Sequence, residues 1–208
     1  MNKINIVYRQ AIIYLLVFIS HNTNIIHNAV VFLMRISIVM LDRTVPGLHD
    51  IINSLHKNFQ ADVHIDLQSL HFSRAYDKKR NQWDAEILLN ELAPFRSPLR
   101  KTIYIFNEDM FIPGLTFVFG LTYEGICIIS TKRLDPRFYG KVKDMRIAGK
   151  LFKRRLVTEI VHELGHSFKL QHCRNPKCVM NYSHSIENVD LKNPDFCKKC
   201  MNLLQHAI

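Results

Sequence analysis

The 208-residue sequence predicts a single α+β domain. Apolar strands and amphipathic helices alternate in the first half of the chain, and a long helix follows them. Four of the five cysteines lie close together, between Cys173 and Cys200, with a histidine beside them. Such a cluster is typical of a metal site rather than of a secreted disulfide scaffold. The chain is long enough to bury a core without disulfides.

The spacing of apolar residues predicts each element in turn. A strand over Arg35–Leu41 ends before Pro46-Gly47, and apolar residues at helical spacing then indicate a helix from Leu48 to Phe59. The remaining predicted elements are a strand over Val63–Leu67, a helix from Ala85 that closes near Pro94, strands over Thr102–Phe106 and Gly125–Ser130, and a long helix from Lys141 through Phe168.

Composition excludes two classes of protein. Hydrophobic residues make up 48% of the chain and charged residues 22%, which excludes a mostly disordered protein and a multi-span membrane protein. The 28 Lys and Arg residues against 18 Asp and Glu residues give a formal charge of +10. This excess favours anionic partners but does not determine the fold.

The first 33 residues differ in character from the rest of the chain. The apolar run from Ala11 to Ile19 is too short to span a membrane, and no secretory cleavage site follows it. From Met34 the sequence reads MRISIVML, a good opening strand. Three explanations stay open: an over-long start, a hydrophobic anchor and an added helix. We therefore expect residues 1–33 to be an N-terminal extension and residues 34–208 to be the domain.

Residues 162–166 read HELGH, a pattern with chemical meaning on a helix. His162 and His166 are one turn apart on the same face, so that both imidazoles can bind one metal ion. Glu163 beside them can take a proton from a metal-bound water. His172 follows as a third imidazole, and three histidine ligands leave the fourth position of a zinc ion open for water.

The wider run resembles a known family. His162 to Met180 is similar to the metzincin pattern H-E-x-x-H-x-x-G-x-x-H with its Met-turn. With the cysteines it reads HELGHSFKLQHCRNPKCVM…CKKC, which resembles the archaemetzincins, a family whose extended zinc signature is fused to a four-Cys motif. The segments YDKKRNQWDAEILLNEL, FIPGLTFVFGLTYEG and SHSIENVDLKNPDFCKKC also resemble this family, and the resemblance covers Met34 to about Leu204.

The resemblance implies a single-domain zincin or metzincin-like fold with a mixed twisted sheet, an active-site helix and a C-terminal four-cysteine zinc segment over residues 173–200. It also implies two Zn²⁺ ions per chain, one catalytic and one structural. Glu163 would be the general base and Met180 the Met-turn residue beneath the catalytic zinc. The implied ligands of the catalytic zinc are His162, His166 and His172, and those of the structural zinc are Cys173, Cys178, Cys197 and Cys200.

These residues predict a zinc-dependent metallopeptidase that hydrolyses peptide bonds, with a peptide or protein as its substrate. The alternative is a catalytically weak or inactive two-zinc binding protein that acts on an anionic partner. Nucleic acid is not expected, because the basic runs lack interleaved aromatic residues. A membrane partner is expected only if residues 11–19 anchor the chain. Free thiolates need a reducing compartment, which favours the cytoplasm.

One residue departs from the family pattern. Lys169 stands where the family has a Gly that ends the active-site helix and lets the third histidine turn back. A left-handed conformation is free for Gly but costs Lys about 1 kcal/mol or more. The departure puts full activity in question.

Four further positions carry weaker expectations. Cys127 lies in an apolar strand and is interpreted as a core residue. Tyr182, two residues after Met180, has either a packing or surface role or a contact with the zinc. We expect the strand Gly125–Ser130 to be the cleft edge that pairs with the substrate backbone. The basic runs Lys78–Arg80 and Lys153–Arg155 are interpreted as solvated faces.

Overall fold

The computed structural model describes residues 34–41, 44–72, 74–140 and 142–207. The predicted N-terminal extension, residues 1–33, lies outside the described residues. The strands are β1 (Arg35–Leu41), β2 (Asp62–Gln68), β3 (Tyr76–Asp77), β4 (Gln82–Asp84), β5 (Lys101–Phe106), β6 (Met110–Phe111), β7 (Gly120–Tyr123) and β8 (Ile126–Ser130). The helices are α1 (Leu48–Phe59), α2 (Ala85–Leu92), α3 (Met145–Ser167), α4 (Ile186–Leu191) and α5 (Lys198–Ala207), with short 3₁₀ turns at Ala93–Phe95 and Pro136–Tyr139.

The main sheet is mixed, as predicted. Its strand order is β2-β1-β5-β8-β7, with parallel pairing from β2 to β8 and an antiparallel β7 at the end. A second, small sheet has the order β3-β4-β6. Sequence reasoning found the four parallel strands because their apolar residues are continuous or alternating, which is typical of buried strands.

The expectation that Gly125–Ser130 forms the cleft edge is wrong. This segment contains β8, which lies between β5 and β7 and is buried along its length. The edge strand on the side of the cleft is β7, a four-residue strand, GLTY, with little apolar alternation of its own. A short strand that starts with Gly carries a weak signal in the sequence, because its pairing is set by its neighbour rather than by its own residues.

The sheet is covered on both faces, so that successive residues of β1 enter two separate cores. Ile36 and Ile38 pack with α1 and α3 in the larger core, whereas Val39 and Leu41 pack with α2 on the other face. This division follows from the alternation of side chains along a strand. Cys127 is fully buried in the larger core.

Helix α3 runs through the larger core and carries the HELGH segment near its end. It begins at Met145 and not near Lys141, because the Asp144 side chain caps it by accepting hydrogen bonds from the backbone N–H groups of Arg146 and Ile147. Its first turns are largely exposed, whereas the residues from 155 to 165 are buried. Among the residues described, no helix is long and apolar enough to cross a membrane.

We propose that residues 34–208 are the folding unit, because they form a compact body by themselves. A chain that begins at Met34 should express as a folded, zinc-binding protein whose melting temperature lies within about 4 °C of the full chain, which for this size is a difference of roughly 1 kcal/mol. Circular dichroism melts and metal analysis of both chains test this. Precipitation of the shorter chain alone would show that residues 1–33 belong to the core.

Candidate active site

Two of the three predicted histidine ligands project from α3 and are held by backbone carbonyls. His162 Nδ1 lies 2.8 Å from the carbonyl oxygen of Val179, and His166 Nδ1 lies 2.8 Å from that of Leu170. Because a carbonyl can only accept, each Nδ1 carries the proton and donates it. Each Nε2 is then left with a free lone pair, as a metal ligand requires.

The three imidazoles converge on one point. His166 Nε2 lies 3.2 Å from both His162 Nε2 and His172 Nε2. A tetrahedral zinc ion with Zn–N bonds of about 2.0–2.1 Å places its ligand nitrogens about 3.3 Å apart, so the arrangement fits zinc. Burial is the main cause that lowers the pKa of all three histidines, and it keeps them neutral. The neutral imidazole is the form that binds metal.

The turn after α3 delivers the third histidine. Lys169 has φ 65°, the left-handed conformation that the sequence suggested. Its N–H donates to the His166 carbonyl and the Leu170 N–H donates to the Gly165 carbonyl, the two hydrogen bonds of a Schellman motif. A continued helix would instead carry His172 about 600° around the axis from His166.

Glu163 is buried beside the histidines and fits there because residue 120 is a glycine. A Cβ atom at Gly120 would lie 2.8 Å from Glu163 Oε1, closer than side chains approach. Thr122 Oγ1 donates to Glu163 Oε2 at 2.6 Å and holds the carboxylate toward the cleft. Burial raises the pKa of Glu163 to about 8, and nearby Glu159 adds to the rise, while the Thr122 hydrogen bond opposes it.

Met180 is fully buried and packs against Gly165 of the HELGH segment. A Cβ at Gly165 would overlap Met180 Sδ, so the fourth residue of HELGH must be small for the methionine to pack there. The same segment joins the histidine and cysteine clusters, because the Cys173 N–H donates to the Met180 carbonyl at 2.8 Å. The Asn181 side chain donates to the Cys173 carbonyl at 2.7 Å.

The four predicted cysteines form a second cluster. Their sulfur atoms all lie within 4.8 Å of one another, and the Sγ atoms of Cys173 and Cys197 are 3.9 Å apart. Four thiolates around a zinc ion with Zn–S bonds of about 2.3 Å stand about 3.8 Å apart, so this group also fits zinc. Four protein ligands complete the tetrahedron and leave no position for water or substrate.

The sequence that forms this site matches a known protein family. A sequence model of peptidase family M54 matches residues 1–206. The chain belongs to peptidase family M54. The archaemetzincin of Pyrococcus furiosus is 38% identical over 167 residues, which cover 77% of this chain and 85% of that protein. The resemblance to archaemetzincins is thereby confirmed, and the family match begins upstream of Met34, where the resemblance was seen to start.

Solved structures confirm the fold. The crystal structure of archaemetzincin from Methanopyrus kandleri is 31% identical, with a TM-score of 0.73 over 86% of this chain and 97% of that one. A zinc-dependent peptidase from Methanocorpusculum labreanum is 30% identical, with a TM-score of 0.71 over 81% of this chain and 99% of that one. The single-domain metzincin-like fold expected for this M54 chain is therefore the one it has.

Sequence reasoning missed a buried ion pair behind the histidines of this M54 site. Lys192 has no exposed surface, and its Nζ donates to Glu159 Oε1 at 3.1 Å and to the Asn181 carbonyl at 3.2 Å. One turn earlier on α3, Arg155 forms a bidentate pair with Asp190. Arg155 is only 5% exposed, so the expectation of a solvated face fails for this residue. Arg155 lies four residues before Glu159, a spacing that places both side chains on the same face of a helix. This spacing was the signal in the sequence that Arg155 could share a buried face with Glu159.

A polar network also supports the upper rim of the cleft, the segment 112–119. The Arg80 guanidinium donates to the carbonyls of Leu115 and Thr116, and the Gln82 amide donates to that of Thr116. Arg133 stacks on Phe117 at 4.3 Å. The run Lys78–Arg80 is exposed, as expected, but Arg80 has in addition a structural role that sequence reasoning missed.

Tyr182 lies at the mouth of the cleft. Its ring packs edge-on against His172, with 4.9 Å between centroids, and it is 43% exposed. The cleft has a volume of about 310 Å³ and is lined mainly by apolar residues of the upper rim together with the histidines and Glu163. The cleft therefore places an apolar wall beside three convergent histidines that could hold a metal ion.

Replacing Gly120 by Ala should displace the Glu163 carboxylate without removing a histidine. A misplacement of about 1 Å costs roughly 100-fold in turnover, so kcat/KM should fall by about that factor while the zinc content stays the same. Gly149→Ala is the matched control, because a Cβ there meets nothing within 4 Å. Equal activity of the two variants would show that Gly120 does not position Glu163.

Replacing Lys169 by Gly should relieve the left-handed turn. The gain of about 1 kcal/mol should appear as a higher melting temperature and as zinc affinity that is tighter by up to roughly tenfold. Lys169→Ala keeps the Cβ and should show neither gain. Titration of zinc into the metal-free proteins decides the matter, and equal or weaker affinity of the Gly variant would refute the strain argument.

Replacing Cys197 by Ser should remove one zinc ion per chain and destabilise the C-terminal segment. Binding of a structural zinc ion contributes directly to the free energy of folding. We therefore expect the free energy of unfolding to fall by at least ~2 kcal/mol, or roughly 4–8 °C in melting temperature. Cys127→Ala is the control, because it removes a buried thiol outside the cluster and should leave the metal content unchanged. Unaltered metal content in Cys197→Ser would contradict a structural zinc.

Proposed function

We propose that this M54 protein hydrolyses peptide bonds with a zinc ion held by His162, His166 and His172. The observation that carries the proposal is the convergence of three Nε2 atoms beside a buried carboxylate at the base of a cleft. When bound, zinc acts as a Lewis acid that polarises the scissile carbonyl and makes water more acidic. Zinc dependence in the M. labreanum relative supports this choice of metal.

Glu163 is proposed as the general base. Its carboxylate is oriented by Thr122 and enclosed by Gly120, so that it accepts the proton of the attacking water with little reorganisation. Burial strengthens its hold on that proton, because the neutral carboxylic acid is favoured in a desolvated site. Glu163 then returns the proton to the departing amine.

The substrate is proposed to be a peptide that lies along β7. In the main sheet this strand pairs with β8 on one side only and ends the sheet at the cleft. An exposed edge strand can add an extended peptide by backbone hydrogen bonds, which do not depend on the side chains of the peptide. Leu121 and Phe119 lie on the cleft wall, where they can contact an apolar side chain of the peptide.

The four cysteines are proposed to hold a second, structural zinc ion, and Met180 to be the hydrophobic floor of the catalytic one. Their mutual distances and the absence of disulfides among the described residues support thiolate ligation. Thiolates persist in a reducing compartment, so the cytoplasm is the proposed location.

Glu163→Gln should abolish hydrolysis and retain both zinc ions. Gln keeps the shape of the side chain but cannot accept the proton, so kcat should fall by roughly 100- to 10,000-fold. Peptide turnover with the purified, zinc-loaded chain, measured together with its metal content, tests this. If the wild-type chain binds two zinc ions and cleaves nothing in a diverse peptide mixture, the alternative of a non-catalytic zinc protein holds.

A further inference from the structure

A second groove borders the active-site cleft, and its walls carry four cations. Lys169, Arg174, Lys198 and Lys199 line it, over a floor that includes Phe168 and Leu203. We name it the basic groove. Its volume is about 1070 Å³, roughly that of a short extended peptide. Leu203 is 51% exposed on this floor, so the groove offers apolar contact as well as charge.

The charges of the basic groove are not neutralised by neighbouring acids. Asp and Glu residues are absent from its described lining, and none of its four cations forms an ion pair within the part of the chain that the structure describes. Two cations elsewhere in the described chain differ in this respect: Lys57 pairs with Asp195, and Arg155 pairs with Asp190. Unpaired cations along a concave wall focus a positive potential into it.

The cysteine cluster offsets only part of this charge. A zinc ion with four thiolates carries a net charge of −2, whereas the groove contributes four positive charges. Lys198 and Lys199 also begin α5, where the helix dipole disfavours cations. The −2 charge of the zinc with its four thiolates therefore offsets two of the four positive charges of the groove. The other two remain for a ligand.

The basic groove and the active-site cleft are neighbours, because His172 lines both. A peptide whose scissile bond lies at the three histidines therefore reaches the basic groove within a few extended residues, at about 3.3 Å per residue. The same chain turn supplies Lys169 to the groove, so the residue that strains the end of α3 also contributes a cation to this wall.

We propose that the basic groove binds acidic side chains of the peptide substrate on one side of the scissile bond, so that this enzyme prefers substrates with an Asp- or Glu-rich segment there. The proposal rests on the peptidase function proposed above. An acidic peptide fits better than a nucleic acid because the groove combines cations with aliphatic surface. Its one Phe, Tyr or Trp ring, Phe168, is buried and unable to stack on bases, and the His172 imidazole belongs to the histidine cluster.

Cleavage profiling tests the preference. The zinc-loaded full chain is incubated with a proteome-derived peptide mixture, and the cleaved bonds are identified by mass spectrometry. We expect Asp and Glu to be enriched about two- to fivefold at positions on one side of the cleaved bond, and the enrichment to vanish in the variant Lys198→Glu with Lys199→Glu. Lys78→Glu with Lys79→Glu is the matched control, an exposed lysine pair remote in sequence from the groove, and it should keep the enrichment.

A binding assay separates this proposal from the peptidase function itself. The Glu163→Gln variant, which cannot turn over substrate, is titrated with a fluorescein-labelled peptide of alternating Glu and Leu and with its Gln-for-Glu counterpart. The acidic peptide should bind more tightly, and its affinity should weaken with added salt. It should also fall about tenfold in the variant Lys198→Glu with Lys199→Glu. Arg174→Gln, outside the Cys197–Cys200 loop, should weaken binding about two- to threefold.

The outcomes are distinct. Cleavage by the wild-type chain with no acidic enrichment, or equal binding of the two peptides, overturns the groove assignment and leaves the peptidase function in place. No cleavage by the wild-type chain, with salt-sensitive binding of the acidic peptide retained, overturns the peptidase function instead. Zinc content and melting temperature are measured for every variant, and if the Lys198 and Lys199 variant loses its structural zinc, the result from Arg174→Gln decides.

Discussion

The left-handed turn at Lys169 is the constraint on which the rest of the site depends. An α-helix cannot present three ligands to one ion when the third lies six residues beyond the second, so the chain must leave the helix and reverse. The Schellman hydrogen bonds do this and also aim the Leu170 carbonyl at His166. One turn thus orients the second histidine, delivers the third, and begins the path to Cys173.

Burying the active-site helix creates a second demand, because α3 carries charged residues into the larger core. Arg155, Glu159 and Glu163 follow one another at intervals of four, and each has its own partner from another part of the chain: Asp190, Lys192 and Thr122. Removing one member of such a pair leaves an uncompensated buried charge, which costs several kcal/mol. The pairs of Arg155 with Asp190 and of Glu159 with Lys192 therefore fix how the segment after Met180 lies against the helix.

What the sequence could predict follows from how local each signal is. The clustered His and Cys residues have a spacing set by the helix and by short loops, so neighbouring residues alone were enough to propose His162, His166 and the cysteine pairs as metal ligands. The strand Arg35–Leu41 was found at its observed bounds because a strand buried on both faces is mostly apolar, as the run from Ile36 to Leu41 is, with Ser37 its one polar residue. The roles of Arg80 and Lys192 were missed because the groups they bind lie 35 and 33 positions away along the chain, and nothing local marks them.

The histidine cluster and the cysteine cluster of this M54 chain are held together by one segment of backbone. The Val179 carbonyl that orients His162 follows Cys178 directly, and the Met180 carbonyl accepts from the Cys173 N–H. Closing four thiolates on a zinc ion therefore fixes the two backbone carbonyls that the histidine site and its methionine floor depend on. A histidine with a fixed tautomer and orientation loses less conformational freedom when it binds a metal ion. Ordering of the cysteine segment therefore increases the metal affinity of the histidine cluster. The proposed structural zinc site lies one residue along the chain from His172, a proposed ligand of the catalytic zinc. In this arrangement thiolate binding would offset the cost of ordering the segment at Met180, and the open histidine site would stay free to respond to substrate.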